Sequence, residues 1–236
     1  MEHVIFLHGA LGSSEQLQPL VEKFKSKYPE FLSHSFDFSG HGKNAAVNNS
    51  ESRFSIKQFS DDLLNYINSL KEKGSICIFG YSMGGYAALY LAKDDPELIS
   101  KIFTLGTKFA WNKETSEKES SMLDANKIEE KIPMFAKALK SRHGINGWKT
   151  VLINTAEMMN SLGEDPLLRS EDLKKVECKV SIAVGDNDNM VSIEESKAAS
   201  ESLKNGSFMI LTDTLHPIEK INTDRLCDEL NKFFKN

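Results

Sequence analysis

A chain of 236 residues is long enough for one α/β domain with an insertion, or for two small domains, and for a substantial buried core. Its net charge of -5, with both signs interspersed and no basic stripe, argues against nucleic acid as a partner. No run approaches the ~20 apolar residues of a spanning helix, the first residues lack the pattern of a secretory leader, and Cys77, Cys178 and Cys227 have neither zinc nor disulfide spacing, so a cytoplasmic, reduced protein with no membrane association is expected.

Val4 to Leu7 is a short continuous apolar run, as in a strand covered on both faces. It leads into His8-Gly9-Ala10-Leu11-Gly12-Ser13, where glycines let backbone amides approach a bound anion or carbonyl. Leu17, Leu20, Val21 and Phe24 then recur at helical spacing, and Phe31 to Phe38 reads as a second strand. His41 follows in a glycine-rich turn with no second metal ligand nearby, and reads as structural. Ser55 and Gln58 have capping-box spacing ahead of a helical stripe of Ile56, Phe59, Leu63, Ile67 and Leu70, closed by Gly74. Ile76 to Phe79 is a third strand, and the helix after it stops before Pro96. Lys101 to Gly106 is a fourth strand. Such alternation of strand and helix predicts a parallel sheet with helices on both faces.

From about residue 108 to residue 175 no strand signal appears. Lys113 to Ser121 is polar enough to predict a solvated segment. Ile132, Phe135, Ala136 and Leu139 form one helical stripe, with Pro133 in its first turn. Trp148, Leu152, Thr155, Met159 and Leu162 form another, ended by Gly163. The predicted organisation is a core of residues 1–107 and 176–236 with a helical insertion at 108–175, serving as a stability cap or as a lid. The sheet resumes at Cys178 to Val184, Ser192 and Glu195 form a capping box, and Ser207 to Leu211 is a last strand. Pro217 suits the first turn of a terminal helix whose buried side carries Ile218, Ile221, Leu226, Leu230 and Phe233.

The chemistry centres on Gly80-Tyr81-Ser82-Met83-Gly84, between the third strand and its helix. This fits G-x-S-x-G, in which a serine on a sharp turn needs nearly side-chain-free residues two before and two after it. Two acids, Asp186 and Asp188, lie in the loop after a later strand, and His216 lies in the loop after the last. Through His8-Gly9, the Gly80 to Gly84 turn, Gly185 to Val191 and His216, nearly the whole chain resembles the α/β-hydrolase family, whose order is Ser…Asp…His.

That resemblance implies a mostly parallel, doubly wound α/β sheet with a helical cap. It makes Ser82 the nucleophile, His216 the base and an aspartate its orienting partner. The residues alone do not choose between the aspartates. The family pattern Gly-x-x-Asp-x-x-Val matches Gly185, Asp188 and Val191, and so favours Asp188. The oxyanion hole falls to the backbone N–H groups of Met83 and Ala10, with the His8 side chain supporting the latter's loop. No metal or organic cofactor is implied, since such a triad needs none. The expected partner is a small-molecule ester-like substrate, small to medium and mainly apolar, because Trp111, Phe135, Trp148, Met158, Met159 and Leu162 exceed what two short helices need on one face. Trp111, Met158 and Met159 are the candidate substrate-binding residues. A carboxylic ester or thioester is the leading substrate. Carbon–carbon bond hydrolysis, acyl transfer, or slow-turnover ligand sensing on the same triad are the alternatives.

Overall fold

The computed structural model describes residues 2–45 and 53–236. Six strands form one sheet: β1 (Glu2–Leu7), β2 (Phe31–Ser35), β3 (Ser75–Tyr81), β4 (Lys101–Leu105), β5 (Lys179–Gly185) and β6 (Gly206–Leu211). Their order is β2-β1-β3-β4-β5-β6, and every pairing is parallel.

The pleat sorts the strand residues into two cores. Val4, Phe6, Cys77, Phe79, Phe103 and Leu105 point to one face, where α1 (Ser14–Lys27) and α10 (Thr223–Lys235) cover them with Leu17, Phe24, Leu230 and Phe234. Ile5, Leu7, Ile76, Ile78, Ile102 and Ile182 point to the other, beneath α2 (Ile56–Ser69), α3 (Met83–Asp94) and α9 (Ile193–Ser202). A strand buried on both faces needs an unbroken apolar run, which is why these segments lack polar alternation.

Between β4 and β5 the chain forms α4 (Lys113–Ser121), α5 (Ala125–Lys131), α6 (Pro133–His143), α7 (Trp148–Glu164) and α8 (Ser170–Leu173). Leu139, Trp148, Leu152 and Leu162 join the same apolar cluster as Ile5 and Ile102. Its entry is held by Glu195 Oε1, which accepts from Phe109 N at 3.0 Å, and its exit by Tyr86 Oη, which accepts from Leu168 N at 3.0 Å.

Several expectations need correction. Residues 113–121 form a helix that is solvated along most of its length and buries only Ser116 and Glu119. Gly163 lies within α7 instead of ending it; a β-carbon there would stand 2.0 Å from Ser116 Oγ, so the glycine lets α4 and α7 approach. The terminal helix starts at Thr223 under an Asn222 cap, after a short 3-10 turn behind Pro217. Phe234 is the fully buried aromatic there, and Phe233 is only partly covered.

The strand order reverses beside β1. The connection from β1 leads outward to β2, and the one from β3 leads the other way to β4. The loops after β1 and β3 therefore diverge and leave a crevice at the C-terminal edge, the usual ligand position in open α/β sheets.

Candidate active site

Ser82 stands on that crevice at the junction of β3 and α3, with φ 50° and ψ -117°. A non-glycine residue adopts this conformation only where its surroundings impose it. Here Ser82 N donates to Leu105 O at 2.8 Å, and Thr107 Oγ1 donates to Ser82 O at 2.9 Å, so the end of β4 and the loop after it grip the turn from both sides. The flanking glycines have separate steric reasons. A β-carbon on Gly80 would lie 2.4 Å from Gly85 Cα, closing the gap between strand and helix. One on Gly84 would lie 2.7 Å from His8 O, pushing α3 off the end of β1.

The loop after β1 lies against the serine. A β-carbon on Gly9 would be 3.1 Å from Ser82 Cβ. His8 is fully buried; its Nε2 accepts from Phe38 N at 3.2 Å, so the proton sits on Nδ1 and is donated to Gly9 O at 2.8 Å. Neither the Ala10 nor the Met83 amide donates to a loop or side-chain acceptor among the described residues. Met83 opens α3, where the first amides have no intrahelical acceptor.

His216 Nδ1 lies 2.7 Å from Asp188 Oδ2, and both side chains are almost wholly buried. The other Asp188 oxygen accepts from Met190 N at 2.8 Å and Val191 N at 2.9 Å. Burial alone would raise the Asp188 carboxyl, but the hydrogen bond and charge of His216, with those two amides, outweigh it and hold the group below its ordinary value. Asp186 instead accepts from Thr214 N at 3.1 Å and ties the turn. Gly106, at φ 63°, makes room for the imidazole, since a β-carbon there would be 3.2 Å from its Cε1. Tyr81 donates its hydroxyl to His216 O at 2.9 Å, a support that sequence reading missed. No hydrogen bond joins Ser82 Oγ to His216 among the described residues.

Ser82, Ala10, Met83, Trp111, Met158 and Met159 all line one small cleft, joined by Ile56, Tyr86, Lys108 and Leu162. Trp148 is not on it. That ring is buried inside the helical segment, with the ammonium groups of Lys140 and Lys149 at 5.2 and 5.5 Å from its centroid. Phe135 is at the surface. The cysteines are buried, and burial pushes the Cys77 and Cys178 thiols up to about 12, where no thiolate forms near neutral pH.

A sequence profile of the alpha/beta hydrolase fold matches residues 2–126, more than half of the chain. The chain belongs to the α/β-hydrolase family. Among curated relatives of this α/β-hydrolase is a Haemophilus influenzae protein provisionally named 2-succinyl-6-hydroxy-2,4-cyclohexadiene-1-carboxylate synthase, 34% identical over 94 residues. That match covers 39% of this chain and 34% of the relative. Among solved structures, a thermophilic esterase from Thermogutta terrifontis superposes with TM-score 0.77 at 18% identity, covering 100% of this chain and 90% of the other. A lipase-esterase related protein from Clostridium acetobutylicum gives TM-score 0.72 at 20% identity over 98% and 94% of the two chains. These likenesses establish a shared fold. Among the described residues, no helix of this α/β-hydrolase is long and apolar enough to cross a membrane.

Proposed function

We propose that this protein is a serine hydrolase that cleaves a small-to-medium, mainly apolar carboxylic ester or thioester through an acyl-serine intermediate. The observation that carries the reading is the strained Ser82, sharing one cleft with two uncommitted backbone amides while the Asp188–His216 pair is tied to the adjacent Tyr81. In this reading Asp188 accepts a hydrogen bond from His216 Nδ1–H and so leaves the Nε2 lone pair as the base. His216 removes the Ser82 proton as Oγ attacks the carbonyl carbon, and the resulting oxyanion takes the Ala10 and Met83 N–H groups. The imidazolium then protonates the departing alkoxide or thiolate. A water, deprotonated by the same imidazole, releases the acid and regenerates Ser82. Residues 108–175 act as a lid in this scheme. Trp111, Met158 and Met159 on its inner side contact the substrate and exclude water from the reacting bond.

A fluorophosphonate probe tests the chemistry. It should label the protein at Ser82, and Ser82→Ala should abolish labelling and lower kcat on a p-nitrophenyl acyl series by about 10⁴-fold or more. Labelling that maps to another residue overturns the mechanism. Non-hydrolytic chemistry on the same residues is the second reading, favoured by the provisional synthase name of the Haemophilus relative. Absence of both a burst and steady turnover on all acyl esters, with Ser82 still labelled, would select it.

A further inference from the structure

The cleft over Ser82 is apolar over most of its wall, and Lys108 supplies the only charge on its described lining. The ammonium donates to Met190 O at 2.7 Å. Glu119 Oε1 stands 3.6 Å away and forms an ion pair with it, both side chains being mostly buried, although the separation is too long for a hydrogen bond. An ammonium has three donors, so capacity remains beyond the Met190 carbonyl. Trp111 lies on the same lining, and its indole N–H is buried with no acceptor. An indole nitrogen can only donate, and a buried donor without a partner is uncommon enough to need a cause. Glu119 has an unpartnered Oε2 of its own, but the residue is not on the lining. The wall therefore offers a cation and a neutral donor, and none of its described side chains is a carboxylate or an amide that could serve as an acceptor for them.

We propose that Lys108 and Trp111 form a subsite for a carboxylate carried by the substrate, remote from the bond that is cleaved. The inference rests on the serine-hydrolase reading and narrows it. The substrate is an ester or thioester with one acidic end on an otherwise apolar body, such as a half-ester of a dicarboxylic acid. Two separated donors of unequal charge suit the two oxygens of a carboxylate. A purely aliphatic tail would leave the Trp111 N–H without an acceptor and the remaining donors of Lys108 unused.

The test pairs two esters of similar length, p-nitrophenyl hydrogen glutarate and p-nitrophenyl hexanoate, with the ratio of their kcat/KM values as the readout. A charge-assisted hydrogen bond predicts a ratio of roughly tenfold to a hundredfold in favour of the acidic ester. Lys108→Met should bring the ratio to one or below. Trp111→Phe, which keeps a ring and removes the N–H, should lower it part of the way. Because Lys108 also holds the Met190 carbonyl, the variant's absolute rate is expected to change; the ratio cancels damage common to both substrates. A ratio at or below one in the unmodified protein, or one untouched by both substitutions, overturns the subsite. Calorimetric titration with monomethyl glutarate and dimethyl glutarate gives a readout free of turnover, in which only the acid should bind. Binding of the acid without hydrolysis of either ester would sink the serine-hydrolase reading and leave the subsite standing. Hydrolysis of both esters at equal efficiency, with no selective binding, would do the reverse.

Discussion

At the scale of single residues, the site is built by side chains whose partners lie far away along the chain. Tyr81 reaches the backbone of His216, 135 positions later, and Thr107 closes on the Ser82 carbonyl. The two aspartates differ in their hydrogen bonding. Asp188 faces the imidazole at 2.7 Å, while Asp186 is committed to the Thr214 amide. Asp188→Asn should leave His216 in the wrong tautomer and lower kcat by roughly 10⁴-fold, with Asp186→Asn costing far less. Steady-state kinetics on both variants decides the point, and the reverse ranking would show that the turn, not the imidazole contact, governs activity. Ser82, Asp188 and His216 were legible as candidates because each sits at a fixed offset from a strand end or a glycine. Tyr81 and Thr107 were not, because a hydroxyl aimed at a distant carbonyl leaves no local pattern.

At the scale of elements, hydrophobic periodicity located the six strands and most helices, since each buries an apolar run or stripe. It failed where burial is polar. The segment Lys113–Ser121 has no apolar stripe, yet it lies along α7 through Ser116 and the close approach at Gly163. Periodicity also cannot say which apolar residues of the helical segment face substrate. Trp148 and Met159 read alike in sequence, but one is enclosed by its own helices and the other lines the cleft. They should therefore respond differently to truncation. Trp148→Ala should cost ~3–5 kcal/mol of stability, as expected for a fully buried aromatic, with acyl-length preference unchanged. Met159→Ala should shift that preference while the melting temperature moves by only a few degrees. Denaturant unfolding beside a p-nitrophenyl acyl series separates the two. A stable Trp148→Ala protein with altered preference would refute the division between packing and pocket.

At the scale of the whole molecule, three buried histidines connect the sheet, the loop that follows β1 and the helical segment. His8 is fully buried, its ring centroid lies 5.1 Å from that of His41, and His41 lies 5.8 Å from His143 at the end of α6. His143 Nδ1 accepts from Gly42 N at 3.0 Å, so its proton sits on Nε2 and is donated to Leu11 O at 2.9 Å. Arg142 donates to the same carbonyl at 2.7 Å. The end of α6 thus grips the loop that carries Ala10. A second proton on His143 would set one N–H against that of Gly42 and break the grip. Burial lowers both His8 and His143 from 6.5 to about 4, with the Arg142 charge adding to the effect, and burial holds His41 well below its ordinary value. The sign follows directly. These groups are neutral when folded and bind protons more readily when unfolded, so their stabilising contribution is complete above 6.5 and is lost as pH falls toward about 4. Each histidine contributes at most roughly 1.4 kcal/mol per pH unit within that window. Asp37 and Asp188, both held below their ordinary 3.8, add a further loss only in stronger acid. The melting temperature should accordingly be flat near neutrality and fall as the medium becomes mildly acidic, before Asp37 and Asp188 titrate. His143→Gln keeps a donor for Leu11 O and removes one titrating group, so its melting profile should fall less steeply over the same range. An unchanged slope in that variant would show that the acid sensitivity arises outside the contact between α6 and the Ala10 loop.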